Sequence, residues 1–398
     1  MRVDLFANAG TPLASGRPSD KKAARSGAFT DNMKLPIHRW FRYSAGFSAQ
    51  WVESIINARS RDRMLDVLDP FCGSGTTLLA ASACGANSVG FEAHPFVCRI
   101  ARSKTQRDFV IEAFSARARD VLENARATEA NAPRSSSELL RRCYSEQSLA
   151  RLEALREVHE KSNLDDPVDD LIWLSITSIL RECSGVGTAQ WQYLLPNKSK
   201  ARTADPFEAF QNKIAVIEAD LAQSFAAETG SIAVLSTDAR DPLCDRTFDL
   251  VVTSPPYPNN YDYADATRLE MTFWGEISAW SDLQSSVRKY LVRACSQHSA
   301  AERLVLDDVL DQVEIAPIKD KLASVCKELD QMRQVKAGKK TYHTMVAAYF
   351  LDLAKVWNQL RPLVRNGGEV AFVVGDSAPY GVHVPCEKWL AELAVSAG

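Results

Sequence analysis

The 398-residue sequence predicts an α/β fold, a mostly parallel sheet carrying helical insertions. Three observations carry this. Five short apolar segments, 64–69, 88–91, 232–235, 248–252 and 369–374, alternate with helical or looped stretches. That alternation builds parallel sheets joined by crossovers. The first two segments flank a glycine turn and an Ala/Leu-rich helix, and Glu92 closes the second. Strand, glycine loop, helix, strand, acid is the order of a nucleotide-type βαβ unit. Finally, Asp69, Glu92, Asp238 and Ser254 all fall at carboxyl ends of predicted strands, where open α/β sheets bind ligands.

Composition sets the outer limits. Hydrophobic residues make up 46% and charged residues 24%, and 47 Lys+Arg stand against 50 Asp+Glu for a net charge of -3. Collagen-like, disordered and membrane classes do not fit these values. A globally basic protein is excluded, but a local basic surface for nucleic acid is not. The nine cysteines show no C-x-x-C spacing. A metal site is therefore not expected, and a reduced, cytoplasmic setting is. The N-terminus lacks a signal-like apolar run, and the most apolar stretch, 171–180, is too short to span a bilayer.

In chain order, residues 1–32 are rich in Gly, Ser, Pro, Lys and Arg and read as a mobile leader. Residues 33–104 hold an aromatic and helical entry, then the βαβ unit. Residues 105–230 read as a helical insertion with a polar interruption at 185–202. Strands return over 231–275. Residues 276–340 form a second helical insertion. Residues 341–398 supply a long helix from about 345 to 360, the last strand, and a helix from about 386 to 397.

In the loop after the first strand, Asp69-Pro70-Phe71-Cys72-Gly73-Ser74-Gly75-Thr76, Gly73 and Gly75 permit turns and close ligand approach. The helix that follows offers free N–H groups to a carboxylate or phosphate. No lysine follows the second glycine and the third glycine of a dinucleotide fingerprint is missing, so neither of those loops is present. Glu92 stands where an acid binds ribose hydroxyls, or is a solvated strand-end acid. Asp238 either receives an adenine amino group or is a turn residue before Pro242.

This string resembles the S-adenosylmethionine-binding motif of the DNA amino-methyltransferases. The resemblance implies a Rossmann-like methyltransferase sheet, with Asp69, Phe71, Gly73, Gly75 and Thr76 around the cofactor's methionine half. Glu92 would hold the ribose and Asp238 the adenine. Gly46-Phe47-Ser48 resembles the segment that packs on the methionine moiety, which adds Phe47 and Ser48 to the cofactor set. The family usually adds an antiparallel strand pair after the fifth strand, and no such terminal β-hairpin is legible here.

The second motif is Ser254-Pro255-Pro256-Tyr257. Consecutive prolines end the strand and stiffen a loop whose carbonyls lack local donors. Fixed oxygens can accept the protons of an exocyclic amino group and favour a pyramidal nitrogen able to attack a methyl group. Tyr257 offers a flat face to an extruded base. The four residues are the expected catalytic loop. The motif resembles that of cytosine-N4 methyltransferases and of some adenine-N6 enzymes, which more often carry Asp or Asn first. A carbon-5 cytosine enzyme would need Pro-Cys in this place.

Double-stranded DNA is the implied partner. Lys198, Lys200 and Arg202, beside Gln190, are the preferred basic contacts. Asn260 and Tyr261 either support the target base or form the packed start of the next helix. The sequence thus implies an S-adenosylmethionine-dependent DNA amino-methyltransferase, cytosine-N4 ahead of adenine-N6, in a restriction-modification setting with a cognate endonuclease. The rivals are an RNA guanine-N2 methyltransferase and an inactive or split cofactor-binding subunit needing a partner.

Overall fold

The structure is a computed structural model that describes residues 3–7, 29–43, 45–60, 63–106, 108–162, 166–188, 193–224 and 230–398. Six strands form the main sheet: β1 (Val3–Ala7), β2 (Asp66–Asp69), β3 (Asn87–Phe91), β6 (Ile232–Leu235), β7 (Phe248–Thr253) and β8 (Val364–Val374). Their spatial order is β1-β8-β7-β2-β3-β6, and every neighbouring pair is parallel. The chain leaves β2 toward β3 and β6 on one side, and later runs through β7 and β8 on the other. The loops after β2 and β7 therefore diverge and open a crevice at the strands' carboxyl ends.

The central strands are apolar on both faces because helices cover both. Against one face lie α1 (Ala49–Ser60) and α2 (Thr76–Ala83), where Val52 and Ile56 meet Val67, Leu250 and Val252. The adjacent residues Leu68 and Val251 point the other way. They join the long helix Tyr342–Leu363 and the last helix Cys386–Ser396 through Tyr349, Phe350, Phe372 and Trp389. Helix α3 (Pro95–Thr105) follows β3 and packs on the first insertion, whose helices α4 (Ile111–Ala127), α5 (Glu138–Cys143), α6 (Glu146–Ser162), α7 (Pro167–Cys183) and α8 (Pro206–Ser224) share their own core. The apolar stretch 171–180 is buried in α7. There Ser175 and Thr177 donate back to the Leu171 and Trp173 carbonyls, each at 2.7 Å. No helix among the described residues is long and apolar enough to cross a membrane.

Two segments differ from the sequence reading. Val3–Ala7, inside the presumed mobile leader, form the edge strand β1, paired from Val3 with Val370 to Ala7 with Val374. β8 is buried and apolar over Val370–Val374, and its outer edge needs a backbone partner. β1 supplies it. Phe29–Lys34, also within or bordering that leader, form a 3₁₀ turn. After β8 the described residues make one isolated antiparallel bridge, Ser377 to Val384, and no further strand. The polar interruption at 185–202 is an antiparallel hairpin, β4 (Val186–Thr188) with β5 (Leu194–Ser199).

Candidate active site

The crevice at the carboxyl ends of β2, β3 and β7 is lined by Tyr43, Phe47, Phe71, Gly73, Ser74, Thr76, Glu92, His94, Asp238, Ser254, Pro256 and Tyr263, together with Tyr290, Leu291 and Val292. Most of the predicted cofactor residues and half of the predicted catalytic loop share this one cavity. Gly73 and Gly75 both adopt positive φ, at 52° and 87°. A Cβ on Gly73 would stand 3.0 Å from the Tyr43 ring, so the turn needs glycine for conformation and for space. Gly75 caps α2, and Thr76 opens it.

Glu92 organises the loop. Its Oε2 accepts the Gly73 N–H at 2.9 Å and its Oε1 accepts the His94 N–H at 2.8 Å. Burial pushes its pKa up to about 7 against these hydrogen bonds. Glu92 also lines the cavity, where the resemblance would have it meet the ribose. Since the pKa lies above the ordinary carboxylate value, ionisation costs the apo fold, and this contribution to stability is lost as pH rises through about 7. Binding has the opposite sign, because a ribose hydroxyl donates best to the carboxylate. Affinity for S-adenosylhomocysteine is expected to tighten between pH 6 and pH 8, and Glu92→Gln to flatten that profile in calorimetry. A wild-type profile flat across the interval would remove Glu92 from the binding set.

Asp69, Ser48, Gly75, Pro255 and Tyr257 do not line the cavity. Asp69 is fully buried beneath the loop, where its Oδ1 accepts from Thr253 Oγ1 at 2.5 Å and from the Phe71 N–H at 3.0 Å. It fastens the end of β2 to the end of β7. Burial raises its pKa to about 6. Ser48 accepts the Trp51 N–H at 3.3 Å at the start of α1. Tyr257 is turned toward the sheet, its hydroxyl 3.2 Å from the Val373 carbonyl and 3.3 Å from Ser254 Oγ. Ser254 Oγ also reaches that carbonyl, at 3.1 Å. The aromatic side chain from this loop that faces the cavity is Tyr263, whose hydroxyl accepts the Tyr257 N–H at 3.4 Å.

The predicted DNA contacts scatter. Asn260, at φ 65°, spends its Oδ1 on the Ser296 N–H and hydroxyl at 2.9 and 2.6 Å. Tyr261 is buried, edge-on to Tyr263 at 4.5 Å and 5.3 Å from Tyr193. Both therefore sit as packed structure. Lys198 and Arg202 are exposed on or beside the β4–β5 hairpin, while Lys200 is half-buried and donates to the Arg181 carbonyl. Gln190 lies outside the described residues. Tyr193 brings the hairpin against the catalytic loop, its hydroxyl accepting the Asp262 N–H at 2.5 Å. Cys386 is buried at the start of a helix, and His38 and His94 are buried with pKa values lowered by desolvation to about 3.

Tyr43, His94 and the stretch Tyr290–Val292 were missed as site residues. Tyr43 had a signal, the aromatic run just before Gly46-Phe47. Tyr290–Val292 lie in an insertion with no motif, and only the fold brings them to the cavity.

S-Adenosylmethionine fits these residues: a positive-φ glycine turn without a Cβ, the Glu92 and Asp238 carboxylates on the cavity wall, and aromatic rings beside them. Among the described residues no cluster of His, Cys, Asp and Glu could hold a metal ion.

Comparison with known proteins agrees with this geometry. Residues 17–103 match the N6/N4-type family described as DNA methylase. Over 93% of the chain there is 24% identity to the Type II methyltransferase M.BsoBI of Geobacillus stearothermophilus, covering 80% of that protein. The Type II methyltransferase M.AvaI of Nostoc matches equally, with 24% identity over 93% of the chain and 80% of its own length. A 71-residue segment is 37% identical to the Type II methyltransferase M.MjaII of Methanocaldococcus jannaschii, spanning 18% of this chain and 13% of that protein. No solved structure matches at the same level of significance.

Proposed function

With the chain an amino-methyltransferase of the N4/N6 type that uses S-adenosylmethionine, we propose that it methylates the exocyclic amino group of a flipped base in double-stranded DNA, cytosine-N4 ahead of adenine-N6. One observation carries the reading: Ser254 and Pro256 open into the same cavity as Gly73, Glu92 and Asp238. On this reading the methyl acceptor and the methyl donor share one crevice.

Bound there, S-adenosylmethionine supplies an electrophilic methyl group on its sulfonium. The chain's own part is positioning and electrostatics. Ser254 directs its proton toward the Val373 carbonyl, which leaves the hydroxyl lone pairs to accept from the base amino group. The second acceptor we assign is the Pro255 carbonyl, carried between the cavity-lining Ser254 and Pro256 although Pro255 itself does not line the cavity. Together they draw the amino protons to one side, so that the nitrogen lone pair turns toward the methyl group. Tyr263 and Tyr43 offer faces on which the extruded base can stack. The exposed Lys198 and Arg202 contact phosphates beside the crevice, giving binding that weakens with salt.

The serine before the two prolines favours cytosine-N4. The Type II names of the relatives favour a restriction-modification role beside a cognate endonuclease, in the cytoplasm where the DNA lies. Mass analysis of nucleosides in DNA from an expressing host is the test. N4-methylcytosine is expected. N6-methyladenine would transfer the reading to the adenine enzyme, and 5-methylcytosine alone, or methylation confined to RNA, would overturn it.

A further inference from the structure

The second insertion carries no motif, yet it walls the cavity on the Asp238 side. What ties it there is Arg240. The Asp238 carboxylate accepts the Arg240 backbone N–H at 2.9 Å, its Nε–H at 2.9 to 3.0 Å and its Nη2–H at 2.6 Å. The same Nη2 donates to the Tyr290 carbonyl at 3.1 Å. Nη1 stands 3.2 Å from Asp352, a carboxylate only 1% exposed. Asp352 in turn accepts from the backbone and guanidinium of Arg293, at 3.0 and 2.9 Å for the N–H and Nε–H.

The count of acceptor sites gives this arrangement its meaning. A carboxylate offers about four lone-pair sites. Three Arg240 N–H groups serve Asp238, the Nε–H shared between its two oxygens, so the carboxylate keeps capacity for one further donor on a side chain 29% exposed at the cavity wall. Without the fork, Asp238 would be a turn residue free to rotate into solvent. Asp352 is the fixed anchor: burial alone would raise its pKa, but Arg293 and Arg240 hold it below the ordinary value, so it stays charged.

We infer that Arg240 is a positioning residue for the methyl donor: it orients Asp238 so that one oxygen lone pair meets the adenine amino group, and it docks Tyr290–Val292 as the wall beside that base. The inference rests on the methyltransferase reading above. Arg240 touches neither reacting atom. It converts a flexible acid into a discriminator between an amino group and a carbonyl on the purine.

The test is calorimetry of the full chain with S-adenosylhomocysteine and with S-inosylhomocysteine, which replaces the amino group by a carbonyl. Wild type is expected to prefer the adenosyl compound by about tenfold or more, since an acceptor that the bound base covers is left unpaired when it faces a carbonyl. In Arg240→Lys, which keeps the charge but loses the fork, the preference is expected to fall to within about threefold, mainly by weaker adenosyl binding. Arg293→Gln, which loosens the anchor from the other side, should shift it in the same direction by less. A purely structural role would weaken both compounds together and leave their ratio intact. An unchanged ratio in Arg240→Lys, at wild-type melting temperature, overturns the inference while leaving the enzyme's reading in place. Failure of wild type to bind either compound sinks the reading instead.

Discussion

Ser254→Ala is expected to lower the single-turnover rate of methyl transfer by about 100- to 1,000-fold, the range found when one preorganised polar group is removed from a transition state. Affinity for S-adenosylhomocysteine should stay within about twofold, since the lost hydroxyl serves the incoming amino group. Tyr257→Phe is the informative contrast. Its hydroxyl shares the Val373 carbonyl with Ser254 but faces the sheet. Losing one such hydrogen bond, about 0.5–1.5 kcal/mol, should slow transfer by less than about tenfold. Rapid-quench assays with labelled donor and excess enzyme measure both. A Ser254→Ala enzyme within fivefold of wild type would take the hydroxyl out of the mechanism.

Arg181→Leu is expected to cost about 3–5 kcal/mol of stability, the usual consequence of stranding a buried charge. Arg181, on α7, donates to both oxygens of Glu270, at 2.5 and 2.9 Å, and to the Ala266 carbonyl at 2.6 Å. Glu270 is 1% exposed and lies in the helix Arg268–Phe273, just beyond the catalytic loop. The ion pair therefore joins the first insertion to the helix that follows the Ser254–Tyr257 loop. The double variant Arg181→Leu with Glu270→Leu should recover much of the loss, because no lone charge remains in the interior. Urea titration of the three proteins reads the cycle. Equal losses in the single and double variants would show that packing, and not the stranded carboxylate, sets the cost.

The elements legible in the sequence were those whose signal is local. Ile232–Leu235 is placed as read, and 248–252 extends by one residue to Thr253, because apolar runs closed by polar residues or proline bound buried strands. Glu92 and Asp238 were legible through position alone, since strand ends converge in this class of sheet. Asn260 and Tyr261 were not, because an Asn that holds a backbone and an Asn that holds a base look identical in one dimension. Basic side chains are ambiguous in the same way. Arg59 and Arg63 pair with Glu369 and Asp249, remote from the strand ends that carry the crevice, and Lys104 is buried at 1% exposure with its pKa lowered to about 7 by desolvation. Arg240 and Tyr290 stand fifty positions apart, and no periodicity records their meeting.

The pairing of β1 with β8 has a consequence in time. Val3 meets Val370, so β1 must wait for a partner made far later in synthesis. At about 5–20 residues per second on a ribosome, that wait is roughly 20–70 s. During it, an unpaired strand edge is available to any other extended chain. Sheet closure is then a late event, and a ribosome-bound chain stopped before residue 364 holds the glycine loop and the proline loop but lacks the strand whose Val373 carbonyl orients Ser254. Ordering of the Ser254 hydroxyl therefore waits on synthesis of β8.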